Sequence, residues 1–353
     1  MTKARQLADL GNAYDDGALS NRNMIINGAM QVAQRGTSAT TFAYGTVDRF
    51  KPSEGSTSSL AITQTQDTNA PSGFSNSFKI TVNTAETMSG SKQLAFFHAI
   101  EAQNLQQLGY GTSDAKSVTV SFWVKSSVTG AYCLSLYEND DNRNIGATYT
   151  INSANTWEYK TITFPPDTVG VIDNNNGGGL ETYFFLSVGA DRKSADNTSW
   201  ATWSAARFGY GQVADVAGTT NATWQITGVQ LEVGDTATPF EHRSYGDELA
   251  KCQRYYQKFP DALQLPAYQD GSTGVNASLK LSPNMRATTP SIATDGSVYL
   301  WRHNGFQSQE NPTITPSSIS GSNITLSVAG YSGGSNGYVA NLYISNLEIS
   351  NEL

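Results

Sequence analysis

Apolar and polar residues alternate with a period of two along most of this chain. Residues 117–124 (SVTVSFWV) keep the rhythm, 131–137 continue it after a turn at Thr129-Gly130, and 157–164 repeat it before Pro165-Pro166 ends it. Residues 182–188 follow an Asn/Gly-rich turn at 173–179, 222–232 close the series, and 61–64 and 78–82 fit upstream. Alternation of this kind sends one face of each strand into a core and the other outward. Many short strands between Gly/Asn turns predict a jelly-roll β-sandwich over 21–245.

Two stretches carry a helical period. Residues 98–108 (HAIEAQNLQQL) space Ile100, Leu105 and Leu108 for one or two turns against a sheet edge, with His98 opening the helix at the surface. A second helix is predicted at about 246–259. Ser244 and Asp247 resemble a capping box, Pro260 is a stop, and Leu249, Cys252, Tyr256 and Phe259 fall on one face. That stripe suits a spacer between two β domains or packing against symmetry mates around an axis. Residues 261–353 return to strands at 275–281, 298–301 and 324–328, with one long final strand at 340–349. The first twenty residues allow about two helical turns through Ala4, Leu7, Ala8 and Leu10, with Gly11 as a stop. So short a helix needs a surface to pack on, which makes Leu7 and Leu10 the expected anchors on a partner or a neighbouring copy. The expected class is all-β: an anchoring segment 1–20, a jelly-roll sandwich 21–245, a connecting helix 246–260 and a smaller C-terminal β-sandwich 261–353.

Composition narrows the function. Only 15% of the residues are charged and 38% are hydrophobic, against about 25% charge in an ordinary domain. Ser, Thr, Asn and Gln must supply the polar surface, which excludes a coiled coil or a charged disordered tail for most of the chain. A net charge of -8 with no basic run argues against a nucleic-acid partner. No stretch approaches the ~20 apolar residues of a membrane span, and the first residues lack the apolar block of a signal peptide. The two cysteines, Cys133 and Cys252, are no disulfide framework; Cys133 sits in a strand pattern as a small core residue.

No catalytic constellation emerges. His98, His242 and His303 lie near no GxSxG elbow, HExxH helix or CxxC pair, and the Gly177–Gly179 run is a turn tip. A Cys133–His98 pair is a minor alternative. Asp173, Glu181 and Asp191 are the weak candidates for glycoside cleavage, which needs two carboxylates at a set separation. The acidic cluster Glu138, Asp140 and Asp141 offers oxygen ligands that could hold a structural calcium, with a solvated turn as the stronger reading. No other cofactor is expected. Trp200, Trp203, Phe208 and Tyr210 share a segment rich in Ser, Asn and Gly. Aromatic faces stack on sugar rings while amides and carboxylates take the hydroxyls, so Trp200, Trp203 and Tyr210 are candidate glycan contacts; filling a core or an interface is the competing role.

Several stretches together resemble tailed-bacteriophage virion proteins of the tail-fibre or head-fibre type. The opening NRNMIINGAMQVAQRG (21–36) is similar to that family's entry motif, followed by YGTVDRF at 44–50. VTVSFWVK at 118–125 resembles its central strand, and ITGVQLEVGD with ATPFE at 226–241 its closing strand; LAKCQRYY at 249–256 looks like the helix that follows. The resemblance implies a carbohydrate-binding-module-like jelly roll, usually trimeric, displayed on a virion and assembled in the host cytoplasm. It implies homotrimer, capsid or tail proteins and host-surface polysaccharide as partners, and it brings no catalytic residues. Asp48, Arg49 and Glu232, in these motifs, are expected to stabilise the sandwich through turn hydrogen bonds or an ion pair. A glycan-degrading tailspike-type depolymerase is the alternative.

Overall fold

The computed structural model describes residues 3, 21–259, 263–270, 274–286, 290–294, 298–302, 305–309, 313–320, 322–330 and 339–353. The anchoring residues proposed from sequence, Leu7 and Leu10, lie outside the described residues. The chain divides into two compact units, Met1–Tyr245 with Leu353, and Gly246–Glu352.

The first unit is a jelly-roll sandwich of two six-stranded antiparallel sheets. One sheet runs, in spatial order, β1 (Ser38–Ala39), β3 (Ala61–Asp67), β4 (Ser77–Thr84), β12 (Thr223–Val233), β6 (Val118–Ser126) and β9 (Glu158–Phe164). The other runs β11 (Ala201–Thr202), β8 (Arg143–Ile151), β7 (Gly130–Glu138), β10 (Gly178–Val188), β5 (Gln93–Glu101) and β2 (Phe50–Gly55). The inward residues form one core around Phe96, whose ring stacks on Phe50 at 4.9 Å and meets Phe78 at 4.8 Å and Trp224 at 5.4 Å. Cys133 is buried, as its place in the pattern predicts, on the other face of the second sheet.

The helix expected at 98–108 is absent. His98 is a buried strand residue of β5, its ring 4.7 Å from Phe50 and its Nε2 accepting the Ile26 N–H at 3.4 Å. Residues 93–101 pair with β2 on one side and β10 on the other. Two ladders of cross-strand contacts outweigh a weak local helical pattern. Ile100, Leu105 and Leu108 are nonetheless buried, Ile100 near the strand end, Leu105 between two 3-10 turns, Ala102–Asn104 and Gln106–Leu108, and Leu108 in the second of them.

The ends of the sandwich are tied together. Asn23 Nδ2 donates to the Val229 carbonyl at 3.0 Å, and its Oδ1 accepts from Ile25 N and Leu231 N. Glu241 accepts from the backbone N–H groups of Asn21 and Asn23. Arg243 donates to the carbonyls of Ile25 and Asn23. Asn27, left-handed at φ 62°, holds the next loop: its Nδ2 donates to Val32 O and Asp48 O, and its Oδ1 accepts from Val32 N. Gly28 is required here, because a Cβ would stand 2.1 Å from the Val229 oxygen. Asp48 accepts from Gln34 and lies 3.7 Å from Arg35, Arg49 donates to Ala99 O, and Glu232 accepts from Thr238. The stretches that carry the family resemblance are therefore mostly the parts that close the sandwich.

In the second unit, helix α1 (Tyr245–Gln253) starts directly after Ser244 and ends six residues earlier than the spacing predicts. Leu249 and Cys252 lie on it, but Tyr256 belongs to strand β13 (Tyr256–Lys258) and Phe259 lies beyond that strand. The expected four-residue helical stripe does not form. The cause is the aromatic run after the helix: Tyr255 and Tyr256 are fully buried, and β13 pairs with β22 (Leu347–Ser350), an arrangement β-formers favour. A three-stranded sheet holds β13, β22 and β16 (Ser291–Thr294). A seven-stranded sheet holds β14 (Leu263–Asp270), β15 (Gly274–Lys280), β17 (Val298–Arg302), β18 (Gly305–Gln309), β19 (Thr313–Ser320), β20 (Asn323–Ala329) and β21 (Val339–Ile344). The single final strand expected at 340–349 breaks at Ser345-Asn346, where Asn346 is left-handed at φ 48°. The break lets the chain leave one sheet and enter the other. Among the described residues no helix is long and apolar enough to cross a membrane.

Candidate functional site

The second sheet of the sandwich carries side chains on its outer face that the core does not need. Cross-strand register sets two neighbouring rows there. One runs Lys51, Phe97, Tyr183, Ser135 and Gly146; the other runs Ala99, Glu181, Tyr137 and Asn144. The segment 189–217 lies over part of this face, placing Phe208 on Phe185 at 5.1 Å and on Tyr183 at 4.7 Å. Trp203 packs edge-on to Tyr137 at 6.4 Å and to Phe208 at 5.9 Å. Phe208 and Phe185 are buried, while Tyr137, Tyr183 and Trp203 are left half-buried. The result is a strip of aromatic faces over a small apolar cluster.

Polar groups are fixed within the strip. The Tyr183 hydroxyl donates to Glu181 Oε2 at 2.9 Å, and Asn139 Nδ2 donates to Glu181 Oε1 at 2.7 Å. The Tyr137 hydroxyl donates to Asn142 Oδ1 at 3.0 Å. Lys51 Nζ stands 4.8 Å over both the Tyr44 and the Phe97 rings, a cation–π arrangement that holds the ammonium at the rim. Burial raises the Glu181 carboxyl above its ordinary value, opposed by the hydrogen bonds from Tyr183 and Asn139 and by the charge of Lys51. Burial and the neighbouring Glu181 push the Tyr183 hydroxyl far up, so it stays a donor at neutral pH. Each Glu181 oxygen keeps acceptor capacity beyond the bond it already makes. The arrangement offers flat apolar rings beside a preoriented acceptor, a cation and amide groups.

The residues singled out from sequence are dispersed. Trp203 belongs to the strip, and Glu181, named only as a weak acid candidate, is its central polar group. Trp200 does not join it. Its indole N–H donates to Pro165 O at 2.8 Å and its ring meets Tyr110 at 5.7 Å, packed against the main core. Tyr210 is 38% exposed on the covering segment, and among the described residues no ring contact links it to the strip. His98 and Cys133 lie on opposite faces of the second sheet, His98 against Phe50 of the core and Cys133 in the outer cluster. Asp173 is exposed before β10, and Asp191 is exposed in the turn Ala190–Arg192.

The suggested calcium ligands serve the backbone. Glu138 accepts from Asp140 N and Asp141 N, Asp140 from Asp173 N, and Asp141 from Val171 N. Among the described residues no group of three or more His, Cys, Asp or Glu is arranged to hold a metal ion. Burial lifts the Glu138 carboxyl to about 7.

No protein-family model and no curated protein matches this chain. Among solved structures it is similar to the enzymatically active domain of tailspike protein 4 of bacteriophage CBA120, at 12% identity and a TM-score of 0.35 over 60% of this chain. The match spans only 22% of that tailspike chain. It is also similar to the family 11 carbohydrate-binding module of a Clostridium thermocellum cellulosomal cellulase, at 11% identity and a TM-score of 0.29, over 57% of this chain and 98% of the module. A third likeness is to TmCBM61, solved with β-1,4-galactotriose, at 10% identity and a TM-score of 0.30, over 61% of this chain and all of that one (100%).

Proposed function

We propose that this chain is a non-enzymatic, trimeric appendage of a tailed-phage particle that binds host-surface polysaccharide on the outer face of its second sheet. One observation carries the binding: half-buried Tyr137, Tyr183 and Trp203 lie beside a Glu181 carboxylate already oriented by Tyr183 and Asn139. A sugar ring presents polarised C–H groups to an aromatic face, and its hydroxyls donate to a fixed acceptor without further ordering. Binding without turnover is supported by the acids at the end of β7 and in the turn after it: Glu138, Asp140 and Asp141 are turned to backbone N–H groups rather than set opposite Glu181. The resemblance of residues 21–50 and 226–256 to phage fibre proteins supports placement on a virion, whether on capsid or tail.

The test is retention of the full chain on immobilised surface polysaccharides from a panel of bacteria. Wild type should be retained by at least one; Tyr183→Ala and Glu181→Gln should each weaken that binding about tenfold, roughly one hydrogen-bonded or stacked contact. Binding unchanged in both variants overturns the site, and new reducing ends in the polysaccharide overturn the non-enzymatic reading. Sedimentation as a monomer at micromolar concentration overturns the trimer.

A further inference from the structure

The opposite sheet carries an aromatic platform that the site above does not use. Trp123 on β6 pairs in register with Tyr159 on the edge strand β9, their rings 5.3 Å apart at 48°. Tyr159 is 45% exposed. Beside them Trp157 is locked: its indole N–H donates to Asn69 Oδ1 at 3.0 Å, and Lys125 Nζ donates to the same oxygen at 2.5 Å while lying 5.0 Å over the Trp157 ring. Asp67 anchors the Asn69 backbone at 2.7 Å and pairs with Lys79 at 3.1 Å. Trp123 and Tyr159 themselves have no hydrogen-bond partner among the described residues, so an indole N–H and a phenol hydroxyl face solvent together.

We propose that this platform is a second saccharide site, taking the ring of a neutral sugar against Trp123 and Tyr159. Three features select that occupant. The nearby charges are matched, Lys160 with Glu158 at 2.7 Å and Lys79 with Asp67, and Lys125 is held on Trp157, so the surface suits an uncharged ligand. Along the edge strand β9 the same face continues with the exposed hydroxyls of Thr161 and Thr163, while Ser121 and Thr119 opposite them on β6 are buried. The two open rings are also too small for a second copy of the chain: at about 150–250 Å² each, partly covered, they fall well short of the ~800 Å² per partner of a stable protein interface. Rigid rings with unspent donors at their edges match the alternating C–H and hydroxyl surface of a sugar.

The six tryptophans make the test direct. With indole nitrogens labelled in the full chain, each ring gives one resonance, assignable by single Trp→Phe variants. The probes are the methyl glycosides of glucose, galactose, mannose and N-acetylglucosamine, up to about 100 mM. Trp123 and Trp157 should shift saturably with at least one of them, and Tyr159→Ala should weaken that response roughly tenfold. Tyr183→Ala should leave it intact, because Tyr183 lies on the other sheet, where Trp203 reports the first site separately. Stationary Trp123 and Trp157 signals across the panel overturn the proposal, whatever Trp203 does. So does a Trp123 shift that Tyr159→Ala leaves unchanged, or one that follows protein concentration without sugar, which would mark a contact between copies.

Discussion

Asn27 is the strongest place to test why the opening motif has its residues. Its side chain makes buried hydrogen bonds to Val32 O at 2.8 Å, to Asp48 O at 3.0 Å and from Val32 N at 3.0 Å. At about 1–1.5 kcal/mol per buried bond, truncation to alanine removes roughly 3–4 kcal/mol. The backbone adds to this, because at φ 62° an alanine Cβ costs about a further 1–2 kcal/mol. Asn23→Ala is the matched control. It loses three bonds, at 3.0, 3.0 and 3.1 Å, but its backbone is not left-handed. Both variants should therefore be destabilised, Asn27→Ala by about 1 kcal/mol more than Asn23→Ala. In a domain of this size roughly 3–4 kcal/mol lowers Tm by about 6–15 °C. Guanidinium unfolding followed by tryptophan fluorescence reads the first unit, which holds Trp123, Trp157, Trp200, Trp203 and Trp224. Either variant staying within about 1 kcal/mol of wild type, or Asn23→Ala proving the more damaging of the two, would refute these roles for Asn27 and Asn23.

Two further outcomes follow from the same geometry. Gly28→Ala should prevent recovery of a soluble folded chain, since its Cβ would sit 2.1 Å from the Val229 backbone oxygen, which the Asn23 amide also holds; a variant melting within a few degrees of wild type would refute the close approach. Glu138 binds its proton more tightly when folded, up to about 7 against an ordinary 4.5, so between those values stability falls as pH rises. Glu138→Gln should flatten that part of the dependence of Tm on pH, and an unaltered slope between pH 4.5 and 7 would count against the assignment.

The strands were legible because burial on one side imposes a period of two. Residues 118–124, 131–137 and 182–188 show it plainly, and all three are strands. The two misread helices have a common cause. At 98–108 and 254–259 the local spacing allows a helix, while the pairing partners that make 98–101 and 256–258 strand lie far away in the chain, Phe50–Gly55 and Gly178–Val188 for the first and Leu347–Ser350 for the second. The site was legible only in fragments. Parity groups Glu181, Tyr183 and Phe185 on one face of β10 and Cys133, Ser135 and Tyr137 on one face of β7, yet that these are the same outer face of the sheet depends on the register between strands. Trp200 and Trp203, three residues apart, illustrate the limit: one fills a gap against Tyr110 and the other borders the strip, a division set by where 189–217 folds back.

The tie between residues 21–25 and 229–243 also has a mechanical meaning. Tension pulling Asn21 and Arg243 apart would meet Glu241, the Asn23 amide and the Arg243 guanidinium first. The force would shear a few parallel bonds at one corner and leave the two sheets unstrained until that corner gave way. A domain fastened in this manner can be threaded into a longer chain as a side loop, transmitting a tug past itself instead of unravelling under it.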